Sequence, residues 1–163
     1  MESTSGVTFR AATSADVPAM VQCRLADPAA GPADPRMAPY LDGRHHPQQA
    51  LLPRSAYVAL VGDQVIGYIA GHRTTRHGCE GEVQYLYVAP AFRRRGVGTA
   101  LLGRLAEWFR GHGVEKVCVG VANDSPPEAK PFVERAGAAP LKKHWYAWED
   151  IGRCGASGCD RTT

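Results

Sequence analysis

The chain has 163 residues, 44% of them hydrophobic, and its 19 basic and 16 acidic side chains leave a formal charge of +3. One domain with a sizeable core fits that length, and the charge is too balanced for a dedicated nucleic-acid binder. No apolar run approaches a membrane span and no apolar signal core opens the chain, which predicts a soluble, cytoplasmic protein. In chain order, Val7 to Arg10 reads as a short strand. Thr13 or Ser14 then caps a helix in which Val17, Met20, Val21 and Leu25 share one face, ending before Pro28. From Asp27 to Pro53 the chain holds six of its 12 prolines and few apolar residues, so an ordered loop or broken helices are expected there. Tyr57 to Val61 and Val65 to Gly71 are apolar, β-branched runs joined by Gly62-Asp63-Gln64, the pattern of an antiparallel hairpin.

Glu82 to Val88 reads as the next strand, followed by the basic turn Arg93-Arg94-Arg95-Gly96-Val97-Gly98-Thr99 and a helix from about Gly98 to Gly111. In that helix Leu101, Leu102, Leu105, Trp108 and Phe109 recur at helical spacing, which marks them as core. Val114 to Val121 is a further strand, so strand, helix and strand form a parallel unit with a right-handed crossover. Leu141 to Trp148 finishes the sheet. Residues 1–152 are read as the single domain and the Gly/Ser-rich residues 153–163 as a flexible tail. Cys23, Cys79, Cys118, Cys154 and Cys159 are odd in number and contain no C-x-x-C pair, which argues against a disulfide framework and a structural zinc site; no metal is expected.

The turn at 93–99 is the chemically informative segment. A glycine-containing basic turn between strand and helix offers unpaired N–H groups and the positive end of a helix dipole, and glycines at 96 and 98 remove Cβ atoms that would hold a ligand off the backbone. A pyrophosphate fits that description. The run Leu86-Tyr87-Val88-Ala89-Pro90-Ala91-Phe92-Arg93-Arg94-Arg95-Gly96-Val97-Gly98-Thr99 resembles the acetyl-CoA-binding segment of the GNAT-type N-acetyltransferases, whose Gln/Arg, two residues, Gly, one residue, Gly/Ala signature is filled by Arg93, Gly96 and Gly98. The resemblance extends in order from Phe9 to about Trp148.

That resemblance implies a mixed α/β fold: a central, mostly antiparallel sheet of six to seven strands, flanked by about four helices, with a splayed central strand pair holding acetyl-CoA. It also implies that Leu86, Tyr87, Val88, Arg93, Arg94, Arg95, Gly96, Val97, Gly98, Thr99, Asn123 and Phe132 line the cofactor, with the Val88 backbone N–H polarising the thioester carbonyl. Glu82, eleven residues before Arg93, has a spacing similar to that of the catalytic glutamate in the histone-acetylating branch and is the expected general base, with Glu80 in reserve. The chain departs from the family after Asn123: residues are inserted around Pro126-Pro127, Val133 stands where a tyrosine is usual, and Ala138 replaces a phenylalanine. The usual general acid is therefore missing, and Tyr146 is the candidate to protonate the leaving thiolate.

For the acceptor, Asp27, Asp34, Asp42, Glu80 and Glu82 suggest an acidic pocket suited to a polycation, or a set of solvated surface charges, and Asp42, Glu80 and His144 are the named substrate contacts. His45-His46 could touch substrate and are poor evidence for a metal. The resulting expectation is an N-acetyltransferase of a small amine, a class that takes in aminoglycoside-type antibiotics and hence antibiotic resistance, polyamines and amino-acid derivatives. The alternatives are an acetyltransferase of protein N-termini or lysines and a non-catalytic acetyl-CoA sensor. Monomer and homodimer both remain in view, the latter through an exposed last strand.

Overall fold

The computed structural model describes residues 6–123 and 125–154. Seven strands, β1 (Thr8–Ala11), β2 (Ala50–Val61), β3 (Gln64–Thr74), β4 (Gly81–Val88), β5 (Val117–Gly120), β6 (Ala139–Lys142) and β7 (Trp145–Trp148), form one sheet in the order β1-β2-β3-β4-β5-β7-β6. All neighbours are antiparallel except β4 and β5. Helices α1 (Val17–Leu25), α2 (Met37–Leu41), α3 (Val97–Gly111) and α4 (Ala129–Arg135) complete the fold. Among the described residues no helix is long and apolar enough to cross a membrane.

The sheet separates two apolar layers. On one face α3 buries Val97, Leu101, Leu102, Leu105 and Phe109 against Ile66, Ile69, Val83 and Val119, and α4 adds Val133. On the other, Met20 of α1 and Met37 of α2 pack on Val58, Leu60, Tyr68 and Tyr87. Burial of that apolar surface is the main force holding the helices to the sheet. Thr13 caps the entry to α1 through a reciprocal capping box with Asp16, as the sequence suggests, but the first turn is 3-10.

Several boundaries differ from the sequence reading. Helical spacing groups Leu25 with the buried face of α1, yet it is 61% exposed, because α1 ends there and its axis carries Met20 into the core instead. β2 begins at Ala50, inside the segment read as loop, and β3 runs on to Thr74. Both extensions are held by cross-strand pairing with each other, a long-range force invisible to local propensity. The last strand is not an exposed edge: β7 lies between β5 and β6, and the edge is β6, whose Pro140 lacks a ladder donor. The core also passes the expected boundary at 152, since residues 151–154 are helical and both Ile151 and Cys154 are buried. Cys159 and the rest of the proposed tail from 155 lie outside the described residues.

Two glycines in β3 show why the sheet can carry a site. A Cβ at Gly71 would stand 2.7 Å from the Glu82 carbonyl oxygen, and one at Gly67 2.9 Å from that of Tyr87. Close backbone approach at Gly71 coincides with a β-bulge: Ala70 faces Tyr85 and Gly71 faces Val83, leaving Gln84 without a partner.

Candidate active site

Pairing between β4 and β5 covers only Gly81–Val117, Glu82–Cys118 and Val83–Val119. Beyond Val83 the two strands part, so Gln84 to Val88 border a gap in the middle of the sheet. On its other side β4 stays paired to β3, and the Ala89 N–H donates to the Ile66 carbonyl at 2.8 Å. Alternation along a strand therefore turns the N–H groups of Val88 and Leu86 into the gap. These are the donors that an acyl carbonyl and a pantetheine amide need.

At the far end of β4 the chain makes the basic turn. Arg94 and Gly96 take left-handed conformations, φ 62° and 82°, and curl the segment into the concave shape that gathers N–H groups. Gly96 caps α3 without any side-chain hydrogen bond, and the first helical bond joins Ala100 N–H to the Gly96 carbonyl. The N–H groups of Val97, Gly98 and Thr99 thus remain free for an anion. Arg94 and Arg95 are exposed, and Val97 is buried beneath them. The Arg93 side chain is occupied elsewhere: Nε donates to the Val88 carbonyl at 2.7 Å, and the two terminal nitrogens bind Asp27 at 3.0 Å and Glu128 at 3.1 Å. Its role is to fasten the gap's rim. Gly98 also has a packing role, since a Cβ there would meet Phe132 Cε1 at 3.3 Å and Val88 Cγ2 at 3.7 Å. Asn123 is exposed in the turn after β5.

Glu82 sits at the fork of the gap and is 5% exposed. The bulge at Gln84 shifts the strand's phase, so that Glu82 shares a face with Tyr85 and Tyr87 rather than pointing at α3. Directly opposite on β3, the fully buried His72 brings Nε2 to 3.4 Å from Glu82 Oε1, and Arg76 Nε comes to 3.3 Å from the same oxygen. None of these three buried atoms has a geometrically good hydrogen bond. The Tyr40 hydroxyl bonds His72 Nδ1 at 2.7 Å, and burial pushes that phenol far above its usual range. Arg54 stacks over the Tyr40 ring and contacts His46 Nδ1 and the Tyr40 and His45 carbonyls, while Arg76 stacks over Trp145.

Tyr146 stands on the opposite face. It pairs with Val119 on β5 and packs into the α3 and α4 core, whereas Glu82 aligns with Cys118 and Ala147. Only the gap connects the two faces between β4 and β5. Val133 is 3% exposed within the core, so the position of the usual tyrosine turns away from solvent here, and Ala138 is buried beside it.

The acidic side chains that sequence reads either as an acceptor pocket or as surface charges are each paired within the fold. Asp27 accepts from Tyr87 and Arg93, Asp34 from Tyr85 and Arg36, and Asp42 from Arg44, while Glu80 accepts the Glu115 and Lys116 N–H groups at 2.8 and 3.2 Å. Those backbone bonds hold the Glu80 carboxyl below its usual range and fix the start of β5. His144, at φ 67°, gives its carbonyl to the Val121 N–H in the turn before β7. Sequence reading missed His72 and Arg76 beside Glu82, and Tyr40 and Arg54 behind them, although Gly71 inside an apolar strand was a signal for the bulge that turns Glu82 toward His72. A depression of about 420 Å³ on the same face is lined by Arg24, Asp34, Arg36, Tyr68 and Tyr85. Among the described residues no group of three or more His, Cys, Asp or Glu side chains could hold a metal ion.

Residues 24–138 match the family model described as Acetyltransferase (GNAT) family. No curated protein matches the chain by sequence. Among solved structures, an acetyltransferase from Thermus thermophilus is similar with a TM-score of 0.65 at 19% identity, covering 86% of this chain and 95% of the other. A GNAT-family acetyltransferase from Staphylococcus aureus gives a TM-score of 0.70 at 12% identity, covering 87% and 98%. The PaiA N-acetyltransferase from Thermoplasma acidophilum, solved in complex with coenzyme A, gives 0.62 at 14% identity, covering 86% and 96%. At these identities the likeness is one of fold.

Proposed function

Because the chain belongs to the GNAT acetyltransferase family, we propose that it transfers the acetyl group of acetyl-CoA to the primary amine of a small molecule. The observation that carries this reading is the buried Glu82 carboxylate at the fork of the β4–β5 gap, with strand N–H groups turned into the gap beyond it. The free N–H groups of Val97, Gly98 and Thr99 fit a pyrophosphate, and those of Leu86 and Val88 fit the pantetheine arm and acyl oxygen. Acetyl-CoA would supply the activated thioester; every other element belongs to the chain.

Glu82 takes the proton of the attacking ammonium, whose solution pKa, about 8 for an α-amine and about 10.4 for a lysine-like one, otherwise keeps its lone pair occupied. As the new C–N bond forms and the C–S bond breaks, the nitrogen gives its second proton to water and the Val88 N–H steadies the carbonyl oxygen. The departing thiolate receives a proton from the α3 side of the sheet, where Tyr146 is the candidate donor and water the simpler one. The surroundings of Glu82 favour one class of small amine. Arg76 and His72 flank it, Arg54 lies over the ring of Tyr40 beyond His72, and the other acidic side chains are already paired, which suits amino-acid derivatives better than polyamines or aminoglycosides.

A thiol-release assay across separate classes of amine tests this. Turnover is expected with amino-acid derivatives and not with polycations. Turnover on peptide N-termini alone would replace the small-molecule reading with a protein-modifying one. Tight acetyl-CoA binding with no acceptor in any class would leave a sensor.

A further inference from the structure

The proton on His72 has a position that follows from its neighbours. Tyr40 is wholly buried, and its hydroxyl has one described partner, His72 Nδ1 at 2.7 Å. Burial raises the cost of ionising that phenol, so it keeps its proton and donates it to Nδ1. A neutral imidazole that accepts at Nδ1 must carry its hydrogen on Nε2, the nitrogen 3.4 Å from Glu82 Oε1. Arg76 Nε approaches the same oxygen at 3.3 Å, and Oε1 has no solvent exposure. Both His72 and Arg76 make their approach to Oε1, which makes Oε2 the oxygen available to an acceptor.

We infer that Tyr40 and His72 form a positioning pair for the catalytic base: Tyr40 fixes the tautomer of His72, and the Nε2–H of His72, with Arg76, holds Glu82 Oε1 so that Oε2 faces the amine. The inference rests on Glu82 being the base. At 3.4 Å the contact is one that bound substrate would tighten into a hydrogen bond. The device resembles the third member of a catalytic triad in logic, since one buried group selects the tautomer of a histidine that serves another. The charged and titratable groups around Glu82 come from every packed element: Tyr40 on α2, His72 on β3, Arg76 and His77 after β3, Cys79 before β4 and Cys118 on β5.

The direct test is 15N NMR of the imidazole nitrogens of His72 in the whole protein, paired with kinetics of Tyr40→Phe. The wild type should show the Nε2–H tautomer. Tyr40→Phe keeps the ring and its packing but removes the donor, so the Nδ1–H form becomes populated and an Nε2 lone pair meets the carboxylate. Turnover should fall roughly tenfold, the worth of one hydrogen bond to a charged group, while acetyl-CoA affinity holds. The acid limb of the pH–rate profile should move to higher pH, because a donor to the ionised form has been lost. A change confined to stability would not move that limb. An Nδ1–H tautomer in the wild type, or an unmoved acid limb and rate in Tyr40→Phe, overturns the pair and leaves Glu82 as base. Near wild-type turnover in Glu82→Gln removes the base itself, and the pair's role with it.

Discussion

Toward α3, strand β4 presents Val83, Leu86 and Val88 to an apolar core, whereas toward α2 it presents Glu82, Tyr85 and Tyr87 to histidine, arginine and aspartate side chains. The apolar face is close-packed: a Cβ on Gly81 would come 2.5 Å from Phe109 Cε1. The polar face is incompletely satisfied, with His72 Nε2, Arg76 Nε and Glu82 Oε1 buried and lacking hydrogen-bond partners. Buried polar atoms left in that state cost stability, and a fold selected for stability alone would remove them. One face therefore holds the strand in place, and the other keeps unsatisfied polar groups at its fork. What permits both on eight residues is the single bulge at Gln84, which changes the strand's phase between Glu82 and Tyr85.

Adjacent residues give the sharpest way to break this comparison. Glu82→Gln should lower turnover by roughly 10²- to 10⁴-fold, the range for losing a general base, with acetyl-CoA affinity kept and thermal stability at or above wild type. Steady-state kinetics and calorimetry read both. A rate within a few-fold of wild type would make the polar face structural like its opposite.

Gly81→Ala should do the reverse. Its added methyl collides with Phe109, so the chain loses about 1–3 kcal/mol of stability, the usual cost of overpacking, while turnover per folded molecule stays near wild type. Denaturant melts give the first quantity and active-site titration the second. Comparable losses of rate in both variants would mean that the two faces are not separable.

At the turn from Arg93 to Thr99, Gly96→Val forces a β-branched residue into a left-handed backbone, for about 1–2 kcal/mol of strain, and puts side-chain carbon beside the free amides of α3. Acetyl-CoA affinity should drop with it. Unchanged affinity in calorimetry would take the turn out of the binding site.

The smallest effect concerns the clamp behind β4. The Tyr87 hydroxyl, with Arg93 beside it, holds the Asp27 carboxyl below its usual range in spite of burial. A depressed carboxylate stabilises the fold above its unfolded pKa of about 3.9, and that contribution fades as pH falls through the lower folded value. Tyr87→Phe should therefore lower the melting temperature at neutral pH, and the gap from wild type should narrow below about pH 4. A gap that is constant with pH would assign the loss to packing alone.

The turn from Arg93 to Thr99, the helix it opens and the parallel strand after it are legible in the sequence because each is a local event. Glycines at fixed positions, a basic run and apolar residues at helical spacing act over a few neighbours, and α3 and β5 follow at close to the expected places. Spacing singles out Glu82, but the long-range pairs around β4 are not legible in the sequence. Tyr40 lies 32 residues from His72, and Arg93 lies 66 from Asp27, so only the closed sheet brings them together. Register decided the rest. A one-residue phase change at Gln84 selects which face Glu82 joins, and the antiparallel pairing of β5 with β7 puts Tyr146 on the other one. The acidic residues that suggested a cationic acceptor were paired by folding, because a carboxylate within reach of a guanidinium or a backbone N–H loses its solvent freedom to that partner. Composition and motif thus determined that a strand, a basic glycine turn and a helix follow one another, while long-range pairing across the sheet decided which charges are left without a partner.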